Sequence, residues 1–378
     1  MELDIGFPLP ERKDYRLGIL GSGVLARECH LPAYRKAGFN PTAIASRNPE
    51  HAAEAAHSFQ VPRVFAGAQQ LLDDSTLEVL DLAVPPHAHL ELIRAACERQ
   101  TAKAILAQLP LGRNCSEAKQ AVALCERAGI LLGVDHSMRY EASVRAAGKL
   151  VAQGTLGDPV FATLELRGPP HWREWQQRLS SLTLRSISVH HLDAFRFWFG
   201  DPARVYCSTR PDPRTKFEHR DGICTYILEY AGGLRCVGVD DVWAGPVTEG
   251  CPGESYLRWR IEGSIGLALG ELGWGTQERS TPSAIRYGVK CQNHFQCPVW
   301  PESWHPDAFV GPMAQLLVAL ERRHPPANSG RDALRTIALV EAAQLSSLQS
   351  KAIGIEEIEL EPAAQTEPRC ERAAARKA

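Results

Sequence analysis

Apolar and amphipathic segments alternate along the first 136 residues of the chain. The segment LEVLDLAV at 77–84 is apolar on both faces, as expected for a parallel strand that is covered on both sides. Asn48 can cap a helix, Pro49 suits its first position, and the alanines that follow propagate it. The predicted strands are 15–20, 41–46, 77–84, 102–107 and 130–135, and helical patterns follow Ala26 and cover 48–59, 87–100 and 115–128. The pattern predicts an α/β fold with a doubly wound parallel sheet.

The pattern changes after about residue 136. The segments ARVYCSTR, CTYILEYAG, LRCVGVDDV and YLRWRIEG alternate with a period of two, which is typical of antiparallel strands with one face in water. A helix is predicted near 141–153, a strand at 160–167, and closing helices at about 307–322 and 329–349. The second part is therefore expected to be an α+β domain on a meandering antiparallel sheet.

Length and composition divide the chain into four parts. A chain of 378 residues can form two domains with separate cores. The tail is polar and rich in alanine and arginine, so we expect it to be poorly ordered. The parts are an N-terminal extension at 1–14, a first domain at 15–136, a second at 137–361 and the tail at 362–378.

Charge and apolar runs exclude several classes of protein. The formal net charge of -2 gives no basic excess for nucleic acid or an anionic membrane surface. The longest apolar runs are too short to span a bilayer, and the N-terminus has no apolar signal segment. Eleven scattered cysteines suit reduced thiols better than a disulfide framework. The sequence thus predicts a cytoplasmic protein with no nucleic-acid or membrane partner.

One group of potential metal ligands occurs in CQNHFQC, where Cys291, His294 and Cys297 lie close together. A zinc site usually has about four ligands in two close pairs, and no second pair follows. We therefore expect no metal site, and a loop with two free thiols is the simpler interpretation.

The chemistry begins at Gly21-Ser22-Gly23-Val24-Leu25-Ala26, between the first strand and the first helix. Gly21 permits a tight turn, Gly23 lets the backbone approach a pyrophosphate, and Ala26 allows close helix packing. The helix N-terminus then faces the phosphate charge, with Val24 and Leu25 in its first turn. The position predicts a dinucleotide site, although a purely structural glycine turn is the alternative.

The second strand should end at the adenosine ribose. An acidic residue there would bind both ribose hydroxyls and repel a 2′-phosphate, but this chain has Ser46 and Arg47. A hydroxyl and an arginine favour NADP over NAD as cofactor. Arg47 as a plain surface charge is compatible with either cofactor.

Pro85, Pro86 and His89 follow the strand at 77–84, at the carboxyl edge where ligands dock in such sheets. They are predicted to line the nicotinamide ribose. For His89, a cap for the next helix is an equally good interpretation.

Several motifs together resemble the Gfo/Idh/MocA oxidoreductases, which include glucose–fructose oxidoreductase and inositol dehydrogenase. The matching segments span roughly 15–360: LGILGSGVLA, AVPPHAH, QLPLGRNCSEAKQ, GTLGDPV, HHLD and SGRDALRTIALVEAAQLSS. The resemblance implies an N-terminal Rossmann domain, a C-terminal α+β domain with a large open sheet, a tightly held NAD or NADP, and sugar-like or cyclic alcohol substrates. It also implies homodimers or homotetramers formed through the open sheet.

The chain departs from this family at Gln108-Leu109-Pro110, where the family usually has Glu-Lys-Pro. The family lysine helps to move the proton of the reacting hydroxyl, and Leu109 has no donor, acceptor or titratable group. The family also often places an aspartate where this chain has Ser186. Gln108 and Pro110 remain as predicted cofactor contacts.

His190 alone of the usual polar groups is on pattern, so it is the predicted acid/base. Asp193 follows three residues later on the same helical face and is predicted to orient the imidazole. His191 points about 100° away on helical geometry. In the alternative interpretation, His190 and Asp193 only tie the helix to its neighbours. The predicted substrate contacts are Arg139, Tyr140, Trp172 and His191.

Three functions remain open at this point. The first is an NAD(P)-dependent oxidoreductase acting on a sugar-like or cyclic hydroxy/oxo substrate. The second is redox-neutral cleavage or epimerisation of glycosides with a transiently used NAD. The third is a cofactor-binding regulatory protein without turnover, which the absence of the lysine favours.

Overall fold

The computed structural model describes residues 3–168, 172–179, 181–243, 245, 255–273 and 282–360. The predicted tail at 362–378 and the first two residues of the N-terminal extension lie outside this range. No helix among the described residues combines the length and apolar character needed to cross a bilayer.

The first half forms a parallel sheet of six strands in the order β3-β2-β1-β4-β5-β6. Every pair within this sheet is parallel, which confirms the doubly wound α/β prediction. Sequence reasoning missed β3 because its three residues form a short edge strand without alternation. The strands are β1 Arg16–Leu20, β2 Asn40–Ala45, β3 Arg63–Phe65, β4 Val79–Leu82, β5 Ala104–Gln108 and β6 Leu131–Asp135.

Helices cover both faces of this sheet. The Asn48 side chain accepts the backbone N–H groups of Glu50 and His51, as the sequence predicted for the second helix. The first helix contains a π-turn at Ala26–His30, one extra residue per turn that the periodicity does not reveal. The α-helices are α1 Leu31–Ala37, α2 Pro49–Phe59, α3 Ala68–Leu72, α4 His89–Arg99 and α5 Cys115–Ala128.

The second half is built on a sheet of nine strands in the order β14-β13-β12-β11-β7-β10-β9-β8-β15. Most pairs are antiparallel, as predicted, but β7 and β10 pair in parallel. The expected simple meander is wrong here because β7 inserts between β10 and β11. The strands are β7 Pro159–Arg167, β8 Arg204–Arg210, β9 Ile223–Glu229, β10 Arg235–Asp241, β11 Tyr256–Gly263, β12 Gly266–Glu271, β13 Ser283–Val289, β14 Val299–Trp300 and β15 Ile353–Gly354.

Helices cover one face of this second sheet. In β8, Val205 and Cys207 are buried, whereas Tyr206 between them is exposed. The closing helix that begins at Val310 packs on β5 and β6 of the first sheet, so the two halves share a helix. The helices are α6 Ala142–Ala152, α7 Glu174–Gln177, α8 Val189–Phe199, α9 Val310–Arg322, α10 Gly330–Gln349 and α11 Ile355–Leu360.

Candidate active site

The glycine turn after β1 is forced by the neighbouring backbone. Gly21 has φ +112, and a Cβ there would lie 2.2 Å from the carbonyl oxygen of Ala83. Its N–H donates to the carbonyl of Ala45 at 2.8 Å. No L-residue with a side chain fits both the dihedral and the space.

Gly23 shows the opposite property, since a Cβ there would meet nothing within 4 Å. The first helical hydrogen bond runs from Arg27 N–H to the Gly23 carbonyl at 3.1 Å, so the helix begins directly after this glycine. Ala26 is fully buried, whereas Val24 and Leu25 are half-buried. An exposed backbone at a helix N-terminus fits the diphosphate of a dinucleotide.

The turn after β2 presents a free cation. Arg47 is exposed, and the structure gives it no ion-pair partner among the described residues. The Ser46 hydroxyl accepts the N–H of Asn48 at 3.3 Å, which fixes the loop beside it. The arrangement leaves the guanidinium available to an anionic group.

His89 ties together two loops at the carboxyl edge. Gly112 N–H donates to its Nδ1 at 3.2 Å, so the proton resides on Nε2, which donates to the Val84 carbonyl at 3.0 Å. Burial lowers the pKa of His89 to about 4. His89 is therefore neutral and connects the two loops by hydrogen bonds, beside Pro85 and Pro86. Its ring does not cap α4. Its contact with a cofactor stays a prediction.

A buried histidine that sequence reasoning missed lies under this edge. Nδ1 of His30 lies 2.8 Å from Asp81, and Nε2 lies 3.2 Å from Asp135. Nε2 is also 3.1 Å from Oε1 of Gln108, and the Tyr34 hydroxyl donates to Asp81 at 2.8 Å. The π-turn places His30 here, and no local sequence signal marks that placement.

The geometry makes His30 an imidazolium, because both ring nitrogens face oxygen atoms that accept hydrogen bonds. Burial alone would lower the pKa of His30, but the charges of Asp81 and Asp135 and their hydrogen bonds raise it to about 10. Gln108 therefore presents its carbonyl oxygen to a cation. Leu109 and Pro110, the next residues, are buried and carry no charge.

The predicted pairing of His190 with Asp193 is wrong. Asp193 accepts two hydrogen bonds from Arg139, both at 2.6 Å, and one from the Thr336 hydroxyl at 2.7 Å. Its Oδ1 also lies 2.9 Å from Nδ1 of His136. Asp193 shares a helical face with His190, but its carboxylate binds these three partners from two other segments, the turn after β6 and α10.

His190 keeps an apolar neighbour instead. Its ring meets the Trp304 indole edge to face, with centroids 5.3 Å apart. Nδ1 is buried without a hydrogen-bond partner among the described residues. Burial lowers the pKa of His190 to about 3. The ring is neutral at physiological pH and holds a proton poorly.

Trp304 joins the two halves of the protein at this point. Its indole N–H donates to the hydroxyl of Ser137 at 3.2 Å, just beyond β6. Its ring also stacks on His305, with centroids 4.8 Å apart. An aromatic wall with hydroxyl and imidazole groups beside it suits the apolar face of a sugar ring.

The four predicted substrate contacts lie in different surroundings. Arg139 is buried and bound to Asp193 and Asp332, so it belongs to an ion-pair network. Tyr140 packs on Phe7, with ring centroids 5.5 Å apart.

The other two lie further along the chain. His191 is buried, with Nδ1 2.6 Å from Asp240 of β10, so its ring connects α8 to the second sheet. Trp172 is half-buried, and its carbonyl accepts the Gln177 side chain at 3.2 Å. The structure thus gives Arg139 and His191 buried partners, and the substrate role of Trp172 and Tyr140 stays a prediction.

One group of potential metal ligands converges within the described residues. Atoms of His136, Asp193 and Asp332 lie within 4.8 Å of one another. However, Nη2 of Arg139 lies 2.6 Å from Asp193 and 2.7 Å from Asp332, so the guanidinium occupies the place of a cation. Cys291 and Cys297 are exposed free thiols.

Comparison with known proteins gives matches to two family models. The model described as an oxidoreductase family with an NAD-binding Rossmann fold matches residues 15–136. The GFO/IDH/MocA C-terminal domain model matches residues 144–267. The first match ends at His136 and the second begins at Val144.

Curated relatives extend over most of the chain. A D-apiose dehydrogenase from Paraburkholderia graminis is 26% identical over 367 residues, covering 94% of this chain and 93% of that protein. A 1,5-anhydro-D-fructose reductase from Ensifer adhaerens is 26% identical and covers 58% of this chain and 65% of its own length.

Solved structures share the fold. An oxidoreductase from Agrobacterium radiobacter, in complex with NAD+, L-tartaric acid and magnesium, aligns with a TM-score of 0.77 at 21% identity. The alignment covers 91% of this chain and 99% of that one. A levoglucosan dehydrogenase in complex with NADH and L-sorbose aligns with a TM-score of 0.75 at 19% identity, over 92% of this chain and 100% of that one.

Proposed function

Because the chain belongs to the GFO/IDH/MocA family of NAD(P)-dependent oxidoreductases, we propose that it transfers hydride between NADP and a hydroxyl or carbonyl carbon of a sugar-like substrate. At the position where the family usually has a lysine, this chain has Leu109. The observation that carries this proposal is the presence of two features at the carboxyl edge of the first sheet. One is the exposed backbone at Gly23, and the other is the wall of Trp304 and His190 from the second half.

The choice of NADP rests on the turn after β2. A 2′-phosphate carries negative charge and strong acceptors, which an exposed guanidinium binds well. Arg47 offers such a group, and the neighbouring Ser46 adds a hydroxyl. A relative from Haloferax volcanii, named D-xylose 1-dehydrogenase (NADP(+)) 2, supports NADP use in this group of proteins.

Different residues of this chain are proposed to bind the cofactor, cover the substrate and exchange the proton. The loop at 21–26 holds the diphosphate, and the nicotinamide supplies or accepts the hydride. The indole of Trp304 covers a face of the substrate, and one buried imidazole of the site exchanges the hydroxyl proton. Leu109 contributes an apolar surface that excludes water, a role for which its burial suits it.

The substrate class comes from the relatives. D-Apiose, D-xylose and 1,5-anhydro-D-fructose are small carbohydrates named in relatives that match between 57% and 94% of this chain. An aromatic side chain with several polar groups beside it suits such compounds. We propose that the protein forms a homodimer or homotetramer through the exposed face of the nine-stranded sheet. We also propose that the first domain covers residues 15–136 and the second covers residues 137–361.

The test starts with binding. Fluorescence titration of purified protein with NADPH and NADH should give binding of both, with NADPH tighter. Arg47→Gln should weaken NADPH by about tenfold and leave NADH nearly unchanged. Arg94→Gln, which alters an exposed arginine on α4, is the matched control and should change neither affinity.

Turnover is then measured with a panel of D-apiose, D-xylose, 1,5-anhydro-D-fructose and levoglucosan, following nicotinamide absorbance in both directions. Oxidation or reduction of one panel member supports the proposal. Glycoside cleavage without net cofactor consumption would favour the redox-neutral alternative. Tight NADPH binding with no chemistry on a broad carbohydrate panel would favour a regulatory protein, and absence of cofactor binding would overturn the enzymatic proposal.

A further inference from the structure

Buried polar atoms without partners occur where the two halves of the protein meet. Among the described residues, these atoms include Oδ1 of Asp135, Nε2 of His136 and Nδ1 of His190. Leaving one such atom unpaired costs about 1–3 kcal/mol. A cluster of them is therefore expected to receive hydrogen bonds from a ligand.

His136 stands out in this cluster by its position. Gln108 and Asp135 are paired in the parallel register of β5 and β6. The next residue along each strand is therefore Leu109 on one side and His136 on the other. Leu109 follows β5 and His136 follows β6, so the two residues are neighbours at the carboxyl edge of the sheet. The imidazole of His136 is thus next to the position that carries the apolar leucine.

A carboxylate faces this imidazole. Nδ1 of His136 lies 2.9 Å from Oδ1 of Asp193, and both side chains are almost completely buried. The contact is not aligned as a hydrogen bond, as is common for catalytic pairs without their ligands. The backbone of His136 is fixed, because its N–H donates to the Val134 carbonyl at 2.9 Å and its carbonyl accepts Arg139 N–H at 3.1 Å.

We propose that His136, oriented by Asp193, is the acid/base group of this site, and that His190 contacts the substrate as a neutral imidazole. The proposal rests on the proposed oxidoreductase function and assigns the proton transfer within it. A proton on Nδ1 facing the carboxylate leaves the Nε2 lone pair of His136 free. Asp193 is then a positioning residue, like the third member of other oriented base pairs.

The step balances without a further reactant. During oxidation, the alcohol carbon loses a hydride to the oxidised nicotinamide, and the hydroxyl proton passes to Nε2 of His136. The resulting imidazolium is stabilised by the Asp193 carboxylate until the proton leaves to solvent. During reduction, the same nitrogen returns the proton to the oxygen as the hydride arrives at carbon.

The charged surroundings of His136 are nearly balanced. Arg139 neutralises part of the charge on Asp193 and Asp332, and Arg196 also binds Asp332 at 2.9 Å. The titratable or charged groups around the imidazole are Asp135 of β6, Asp193, His190 and Arg196 of α8, Asp332 of α10, and Arg139 of the turn after β6.

The main test replaces His136 by asparagine, whose amide can keep the contact of Nδ1 with Asp193 but cannot carry a proton. His136→Asn should lower kcat by about a hundredfold or more and remove the corresponding ionisation from the pH profile, with NADPH affinity retained. His190→Asn should mainly raise KM and leave that ionisation in place. His219→Asn is the matched control, since that ring is bound to backbone atoms of Asp212 and Phe217.

A second measurement does not depend on turnover. Selective 15N labelling of the 13 histidines, with the His136 signal identified from its loss in His136→Asn, reports the tautomer directly. We expect the proton on Nδ1 and a free Nε2 in wild type, and a shift of this signal when NADPH binds.

The outcomes separate the two proposals. If NADPH does not bind, the oxidoreductase proposal fails. If NADPH binds but the His136 proton lies on Nε2, the role of His136 is wrong. Loss of the ionisation in His190→Asn rather than in His136→Asn would likewise assign the proton transfer to His190.

Discussion

At the scale of single residues, the buried imidazolium of His30 makes stability depend on pH. Its pKa of about 10 in the fold exceeds the ordinary value of 6.5 in an unfolded chain. The stabilisation is therefore complete below about pH 6.5 and is lost as the pH rises towards 10. We expect the free energy of unfolding, measured in urea, to fall between pH 7 and 10.

The variant His30→Gln tests the origin of this fall. It leaves Asp81 and Asp135 without their cation, so we expect a loss of about 3–5 kcal/mol at neutral pH and a flatter profile above it. His219→Asn, which alters a half-buried ring far from these carboxylates in sequence, should keep the wild-type slope. A slope that survives in His30→Gln would show that other groups cause it.

Single residues also show how far sequence reasoning reaches. Gly21 and Gly23 could be recognised because a turn between a strand and a helix has a local signature. The partner of Asp193 could not, because spacing on a helix shows which side chains share a face but not what packs against it. Arg139, His136 and Thr336 come from distant segments and compete for that one carboxylate.

At the scale of elements, the two glycines of the turn between β1 and the first helix have different roles. We expect Gly21 to be needed for stability and Gly23 to be needed for cofactor binding. Gly21→Ala places a Cβ against the Ala83 carbonyl at a positive φ, so we expect a loss of about 1–3 kcal/mol or more in stability. Gly23→Ala enters open space, so the protein should fold normally but bind NADPH at least about tenfold more weakly. Thermal unfolding and fluorescence titration measure the two effects.

The two glycine variants are each other's control. Unchanged NADPH affinity in a folded Gly23→Ala protein would contradict the placement of the diphosphate at this loop. A Gly21→Ala protein as stable as wild type would contradict the close contact with Ala83.

Elements with a strong period were predicted well, and short ones were not. The helices at 115–128 and 329–349 and the strand at 160–167 agree with α5, α10 and β7 to within a residue. Strands β14 and β15 have two residues each, too few to show alternation. The parallel pairing of β7 with β10 depends on contacts between distant segments, which no local pattern encodes.

At the scale of the whole molecule, one face of the nine-stranded sheet carries side chains that no described residue covers. Tyr206 of β8 and Ile227 of β9 are paired in register on that face, and both are more than two-fifths exposed. If subunits associate here, Ile227→Lys should shift the protein towards monomer in sedimentation velocity. Leu348→Lys, at an exposed leucine of α10, is the control and should sediment like wild type.

A wild-type protein that already sediments as a monomer would remove the proposal of an assembly through the sheet. An oligomer unaffected by Ile227→Lys would place the interface elsewhere.

Hydrogen bonds between distant segments link the two halves of the molecule, in addition to the covalent chain. Arg185, just before α8, donates to the Arg113 carbonyl at 2.6 Å, and Glu341 of α10 accepts the N–H of Cys115 at 2.7 Å. These contacts bind the loop after β5 to the second half. The sequence indicated two domains but not these connections, because each joins groups more than 70 residues apart.

The fluorescence of the Trp304 indole can report whether a reduced nicotinamide is bound. It is buried beside His190 and fixed by Ser137 at the junction of the two halves. Tryptophan emits light at wavelengths that a reduced nicotinamide absorbs, so energy passes from one to the other when they are close. A dihydronicotinamide docked at this edge would dim the emission of Trp304 and brighten its own, so that loading and discharge of the coenzyme become visible without any added dye.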